Sequence, residues 1–223
     1  MQESVLKVAS SATAAAATPS TKLALSKALL HPVAKPVVFV VCLLPFAWLL
    51  FSAIADQLGA NPAEALVRST GDWTLRLLCI VLAVTPLRTI ANLPALARFR
   101  RMLGLFVYFY VVMHLVSYSW FDMEFVVADI VKDIIKRPFI LVGFSAFVLL
   151  TLLAATSFNR AIKTLGAKRW QLLHKLVYVV AGLGLLHFFW MRSGKNDFAE
   201  VAVYAVVLGV LLGWRLWRKL KSK

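Results

Sequence analysis

Six apolar runs, each long enough to cross a bilayer, constrain this chain more than any other feature of its sequence. The hydrocarbon core of a bilayer is about 30 Å thick, and a helix of about 20 apolar residues crosses it. Because backbone groups in lipid must be hydrogen-bonded within the segment, the runs predict six transmembrane helices in an all-α integral membrane protein. The runs cover about residues 36–55, 73–92, 104–121, 138–157, 170–190 and 198–217.

The polar stretches between the runs are short, so no soluble domain fits between them, and residues 36–217 are expected to form one transmembrane domain. Residues 1–35 are rich in small and polar residues and have no compact apolar segment before a cleavage site. This composition favours a disordered cytoplasmic lead over a cleaved signal peptide. Residues 218–223 are expected to form a basic cytoplasmic tail.

The net charge of +15 would suggest nucleic-acid binding in a soluble chain. Here the Lys and Arg residues concentrate in the lead, in the second and fourth connections and in the tail, whereas the first and third connections hold most of the Asp and Glu. The positive-inside rule therefore places both termini in the cytoplasm. Topology explains the charge without nucleic acid, and the basic tail is suited to contact anionic lipid headgroups.

Three histidines, His114, His174 and His187, lie inside the apolar runs. Ionisable residues are costly in a bilayer, so their default interpretation is a functional site. His114 and His187 are expected at similar depth on helices that run in the same direction, as two axial ligands of one haem iron require. His174 lies a rise of ~20 Å from His187, near the opposite face. The alternative is that each histidine only hydrogen-bonds a neighbouring helix.

The partner of His174 is less well defined by the sequence. The same thirteen-residue step on the third helix leads from His114 to Arg101. Arg101 has three possible roles: an unusual ligand or close neighbour of a haem, a partner of a haem propionate, or a marker of the cytoplasmic helix end. Arginine stays protonated and is a poor iron ligand, so a propionate salt bridge suits its chemistry better than ligation.

The thirteen-residue spacing raises a geometric difficulty. On an ideal helix, thirteen residues turn the second side chain to about 140° from the first. A kink at Gly182 and Gly184 would realign His174 with His187. Otherwise the two histidines serve two haems on different faces.

The sequence contains no dinucleotide-binding fingerprint, no phosphate-binding loop of the Walker type and no candidate catalytic triad. An electron carrier of this kind depends on a separate reductase, a quinol or a small flavin. We therefore expect an electron-transfer subunit and not a catalytic one. Two rival functions are a stand-alone ferric or quinone reductase, and a transporter or proton channel that uses the histidines as relays.

Several segments resemble the MsrQ (YedZ) family, the haem-binding membrane subunits of the bacterial protein-methionine-sulfoxide reductase system. The specific segments are RRMLGLFVYFYVVMHLVSY at 100–118 and WQLLHKLVYVVAGLGLLHFFW at 170–190. LLPFAWL at 43–49, VTPLR at 84–88 and RPFILVG at 137–143 are also similar to the family. The resemblance extends over roughly residues 36–220 and does not include the long lead.

The resemblance implies a ferric-reductase-like bundle of six helices that carries one or two b-type haems in the bacterial inner membrane. His114, His174 and His187 match the family's histidines, and Arg100 and Arg101 match its paired arginines. It also implies electron delivery to MsrP, a periplasmic molybdopterin-containing subunit that reduces methionine sulfoxide in oxidised proteins. FMN is an implied second cofactor, and the implied donor is the quinone pool or a cytoplasmic flavin reductase.

Overall fold

The structure, a computed structural model, describes residues 19–194 and 196–221, and within them every regular element is a helix. Six helices are long and apolar enough to cross a membrane, which confirms the predicted number. The ten α-helices are α1 (Pro19–Leu30), α2 (Ala34–Ile54), α3 (Pro62–Ile90), α4 (Arg100–Phe121), α5 (Val127–Lys136), α6 (Pro138–Ala155), α7 (Asn159–Leu165), α8 (Ala167–Leu173), α9 (Val177–Ser193) and α10 (Ala199–Lys221). Two 3-10 turns, Pro94–Phe99 and His174–Leu176, precede α4 and α9.

The predicted lead and tail are partly helical. Residues 1–18 and 222–223 lie outside the described residues. Residues 19–30, expected to be disordered, instead form α1, and residues 218–221 continue α10. The end of α1 is fixed by Arg98, whose Nη1 donates to the carbonyl of Leu29 over 2.7 Å. That bond satisfies one of the carbonyl groups that a helix C-terminus leaves unpaired.

Charge distinguishes the two ends of the bundle. Every described Asp and Glu lies in, or within about three turns of, the connections at residues 55–61, 122–137 and 194–198, which we call the acidic end. The opposite end, which we call the basic end, comprises residues 91–99, residues 156–173 and the end of α10. It contains no Asp or Glu among the described residues and many Lys and Arg.

The bundle is built on two helix pairs. Helix α4 packs along α3, and α9 packs along α6. Helix α10 covers α9 and α3, while α2 lies against α3 and α4. Leu82, Val107 and Val180, each at most 1% exposed, mark the core where these helices meet. The two pairs therefore present facing surfaces toward the middle of the bundle.

A tyrosine hydroxyl from α4 is inserted into α2 beside Pro45. Proline lacks an N–H group and disturbs the hydrogen bonds of the preceding turn. The backbone N–H of Phe46 donates to Tyr110 Oη over 3.0 Å, and that hydroxyl donates to the carbonyl of Cys42 over 2.9 Å. An unbroken helix pairs these two backbone groups directly. Tyr110 is fully buried, so its hydroxyl both repairs α2 and joins it to α4.

Pro86 creates a similar gap in α3. A proline at this position leaves the carbonyl of Leu82 without its helical donor. Arg215 Nη2 donates to that carbonyl over 2.6 Å, and Arg215 Nη1 donates to Tyr178 Oη on α9. One guanidinium group from α10 therefore joins α10 to both α3 and α9.

Tyr110→Phe is expected to lower the free energy of unfolding by about 1–2 kcal/mol, because it leaves two buried backbone groups of α2 without a partner. SDS-induced unfolding in mixed micelles, followed by circular dichroism, measures the effect. Tyr108→Phe is the matched control, since the Tyr108 ring stacks on Phe147 and its hydroxyl has no hydrogen bond to another described residue. Equal stability of the two variants would contradict the inserted-hydroxyl interpretation.

Candidate functional site

The two helix pairs bring His114 of α4 and His187 of α9 together. Their ring centroids are 6.3 Å apart, with an angle of 78° between the ring planes. The juxtaposition expected from their depths along the helices is therefore observed. Both side chains are half-buried and lie between the pair α3 and α4 and the pair α6 and α9.

Each imidazole is hydrogen-bonded back to its own helix pair through Nδ1. His114 Nδ1 lies 2.9 Å from the carbonyl oxygen of Val67 on α3, and His187 Nδ1 lies 2.7 Å from that of Phe139 on α6. A carbonyl oxygen can only accept, so Nδ1 carries the proton and donates in both cases. The lone pair is then on Nε2, the nitrogen left for a metal ion. Histidine ligands of metals are commonly oriented by this kind of bond.

A glycine gives each imidazole room to approach the carbonyl. Gly71 follows Val67 by four residues, and Gly143 follows Phe139 by four. A Cβ at Gly71 would lie 3.1 Å from His114 Cε1, and one at Gly143 would lie 2.7 Å from His187 Nδ1. A side chain at Gly71 would crowd the His114 ring, and one at Gly143 would displace the His187 ring or the helix that carries it. We call each carbonyl with its glycine, Val67 with Gly71 and Phe139 with Gly143, a histidine seat.

This arrangement fits a metal ion with two imidazole ligands. An imidazole nitrogen binds a first-row metal at about 2 Å, so imidazoles on opposite sides of one ion have ring centroids ~6 Å apart. The observed separation of 6.3 Å meets that requirement. Iron in a haem with two such axial ligands has no open position, which suits electron transfer and not substrate binding.

His174 has different surroundings. It begins the 3-10 turn before α9, and its ring lies against Trp170 with centroids 4.0 Å apart. Thr156 Oγ1 donates to the Leu152 carbonyl over 2.9 Å and lies 3.3 Å from His174 Nε2. The Thr156 hydroxyl therefore engages His174 Nε2. In the described part of the chain, no second histidine contacts His174, and the residues there do not form a bis-imidazole site.

Of the two alternatives for the thirteen-residue spacing, the first finds no break at Gly182 and Gly184, since α9 continues through both glycines. The irregularity lies instead at His174–Leu176. A 3-10 turn advances about 120° per residue in place of 100°, which adds ~60° over three residues. His174 and His187 are then about 80° apart around the helix axis and not 140°.

Arg101, the residue expected to face His174, is hydrogen-bonded to a different side chain. Arg101 Nη1 donates to Asn159 Oδ1 over 2.6 Å at the basic end. The preceding residue, Arg100, is near enough for its charge to act on His174. Arg100 precedes His114 by fourteen residues, which returns it to within about 40° of the same helix face, whereas Arg101 is about 140° away.

The seats were not predicted from the sequence. Their glycines occur inside spanning helices, and Gly143 ends the segment RPFILVG that carried part of the family resemblance. A glycine in a helix interior is unfavourable by up to about 1 kcal/mol and needs a packing reason. An interior glycine therefore signals a close contact in the folded protein. The sequence alone does not say which side chain makes that contact.

The fold and the site define a class: helical membrane proteins that hold two facing imidazoles, each with Nε2 free, between two helix pairs. The sequence profile of the family described as ferric reductase like transmembrane component matches residues 70–185. Three similar proteins carry the name protein-methionine-sulfoxide reductase heme-binding subunit MsrQ. The relative from Polaromonas naphthalenivorans strain CJ2 is 78% identical over 86% of this chain and 87% of its own length.

The MsrQ of Herminiimonas arsenicoxydans is 52% identical over 83% of this chain and 86% of its own length. That of Ralstonia nicotianae is 53% identical over 81% of this chain and 83% of its own length. The chain therefore belongs to the MsrQ family, within the ferric-reductase-like transmembrane proteins. No solved structure matches the chain significantly.

Gly143→Ala is expected to destabilise the protein by ~1–3 kcal/mol, because the new Cβ would overlap the His187 ring and displace it from the Phe139 carbonyl. Gly104→Ala is the matched control, since a Cβ there meets nothing within 4 Å and helix propensity favours alanine. SDS unfolding of both variants measures the difference. If Gly143→Ala is as stable as Gly104→Ala, the seat does not hold the imidazole closely.

Proposed function

We propose that this protein holds a b-type haem between His114 and His187 and serves as the membrane electron-transfer subunit of a methionine sulfoxide reductase system. The observation that carries the proposal is the pair of imidazoles with centroids 6.3 Å apart, each committed through Nδ1 to a carbonyl and free at Nε2. The names of the relatives, heme-binding subunits of such a system, support the same function.

We further propose that the basic end lies in the cytoplasm and the acidic end in the periplasm of a bacterial inner membrane, with both termini cytoplasmic. The supporting observation is the concentration of Lys and Arg at one end of the bundle and of Asp and Glu at the other. His114 and His187 lie toward the acidic end, because α4 and α9 both begin at the basic end. An electron at this site is positioned for transfer to a periplasmic partner.

Bound haem supplies the one-electron chemistry, since its iron alternates between two oxidation states. His114 and His187 would hold the haem iron through their Nε2 atoms and would exclude other ligands. Their Nδ1 donors fix the ring orientation, and the neutral carbonyl acceptors leave each imidazole uncharged. Gly71 and Gly143 set how close each ring lies to its helix, so the seats determine the geometry of the pair.

The electrons are proposed to reach MsrP, the periplasmic molybdopterin-containing subunit, from the quinone pool, FMN or a cytoplasmic flavin reductase. His174 is our candidate for a second centre near the basic end, a second haem or a neighbour of FMN. Because Thr156 engages His174 Nε2, ligation through that nitrogen requires this hydrogen bond to break. The haem between His114 and His187 does not depend on the identity of the second centre.

The absorption spectra of histidine variants test the ligands. His114→Ala and His187→Ala are each expected to weaken binding of the same low-spin haem by roughly tenfold or more, because each removes one axial ligand. His174→Ala should leave that haem in place and remove a second centre if one is present. His31→Ala is the control, since His31 is exposed and the one described hydrogen bond of its ring is accepted from the Val33 backbone. Wild-type protein without a haem spectrum would falsify the proposed function.

The direction of electron delivery is tested with purified protein reduced by dithionite. Addition of MsrP with a methionine sulfoxide substrate is expected to reoxidise the haem several-fold faster than addition of ferric chelate or quinone alone. Stopped-flow absorbance measures the rates. Equal or faster reoxidation by the chelate or the quinone would indicate a stand-alone reductase.

A further inference from the structure

The basic end contains arginine charge that the protein itself does not neutralise. Arg215 is half-buried, and its two described hydrogen bonds go to neutral acceptors, the Leu82 carbonyl and the Tyr178 hydroxyl. Its Nε is buried and has no hydrogen-bond partner among the described residues. A buried donor left unpaired costs about 1–3 kcal/mol, more when the group is charged.

Other cations lie near this guanidinium. Arg100 is close enough to both Arg215 and Arg88 for their charges to repel. No Asp or Glu lies at this end in the described part of the chain, so the repulsion is not offset by a carboxylate. Like charges at the edge of a low-dielectric region repel more strongly than in water. The arrangement is therefore unfavourable unless an anion joins it.

The role of Arg215 in repairing α3 does not explain its charge. The Leu82 carbonyl needs one donor, which a neutral amide could supply. An arginine adds a planar set of donors and a fixed positive charge, the features that match carboxylate and phosphate groups. Each Nη of Arg215 has a second N–H group beyond its described hydrogen bond, and Arg100 adds a neighbouring positive charge.

Arg215 and Arg100 are both connected to His174. Tyr178, which accepts from Arg215, follows His174 by four residues across the start of α9, and Arg100 interacts electrostatically with His174. We propose that Arg215 and Arg100 form a binding site for an oxyanion, the carboxylate or phosphate group of a ligand seated beside His174. The ligand is a haem propionate, a flavin phosphate or an anionic lipid headgroup, and the first two sources rest on the proposed function.

Full-length protein purified in detergent tests the site. Arg215→Gln and Arg100→Gln remove one charge each, and Arg218→Gln is the matched control, because Arg218 is exposed on the same helix and lies over Trp214. If Arg215→Gln fails to fold through loss of the Leu82 bond, Arg100→Gln still carries the test. Three measurements compare each variant with the control.

The first measurement is the reduction potential of the haem that His174→Ala removes. For a propionate ligand, loss of either arginine makes reduction about tenfold less favourable, a fall of about 59 mV for one electron. The second is binding of FMN and of riboflavin, followed by flavin fluorescence. For a phosphate ligand, FMN binding weakens about tenfold while riboflavin binding is unchanged. The third is retention of phosphatidylglycerol from mixed vesicles. If the ligand is an anionic lipid headgroup, each arginine variant retains less of this lipid than the control.

A change in any one of these measurements, absent in Arg218→Gln, supports the oxyanion site and identifies its ligand. If both Arg215→Gln and Arg100→Gln match the control in all three, the arginines have only a structural role and the proposal is wrong. A wild-type protein without haem would contradict the proposed function but not this site, because the FMN and lipid measurements need no haem.

Discussion

The hydrogen bonds from His114 to the Val67 carbonyl and from His187 to the Phe139 carbonyl connect the parts of this molecule that matter for its function. Each bond joins the two helices of one pair, α3 with α4 and α6 with α9. In a membrane, an imidazole cannot leave its polar atoms unpaired without a penalty. The same bond that meets this requirement also sets the tautomer, so a structural contact determines which nitrogen can bind a metal.

The requirement to pair polar groups also accounts for the hydrogen bonds made beside the two prolines inside spanning helices. At Pro45 the Tyr110 hydroxyl takes the place of a direct backbone hydrogen bond, and at Pro86 the Arg215 guanidinium donates to the released carbonyl. In both cases the partner comes from a different helix. Breaks in α2 and α3 thus become points of attachment for α4 and α10, as expected where water is scarce.

The number of spanning helices and the meeting of His114 with His187 could be predicted, because both depend on length along a helix, which sequence spacing measures directly. The neighbours of His174 could not. They depend on rotation around the helix axis, where an error of one residue is about 100°. Spacing led from His114 to Arg101, whereas its neighbour Arg100 lies closer to the helix face of His114, and the 3-10 turn at His174–Leu176 shifts the rotation further.

The seats at Gly71 and Gly143 were beyond prediction for another reason. A glycine indicates that something approaches closely, but the approaching side chain belongs to a helix distant in sequence. The disordered lead was mispredicted at residues 19–30 because α1 is fixed by Arg98, again a contact from far along the chain. Local composition carries no information about such contacts.

The charge distribution bears on the direction of electron flow. Cations at the basic end stabilise an added electron there, and carboxylates at the acidic end disfavour one, so the fixed charges of the protein alone oppose transfer from the basic to the acidic end. An oxyanion bound by Arg215 and Arg100 would offset the cations nearest His174 and reduce this opposition. The histidine seats also reduce the opposition to transfer toward the acidic end. Their acceptors are neutral carbonyls, which add no negative charge beside His114 and His187. Neutralising the basic end and keeping the histidine pair neutral would therefore both favour transfer from the basic to the acidic end, the direction that we propose.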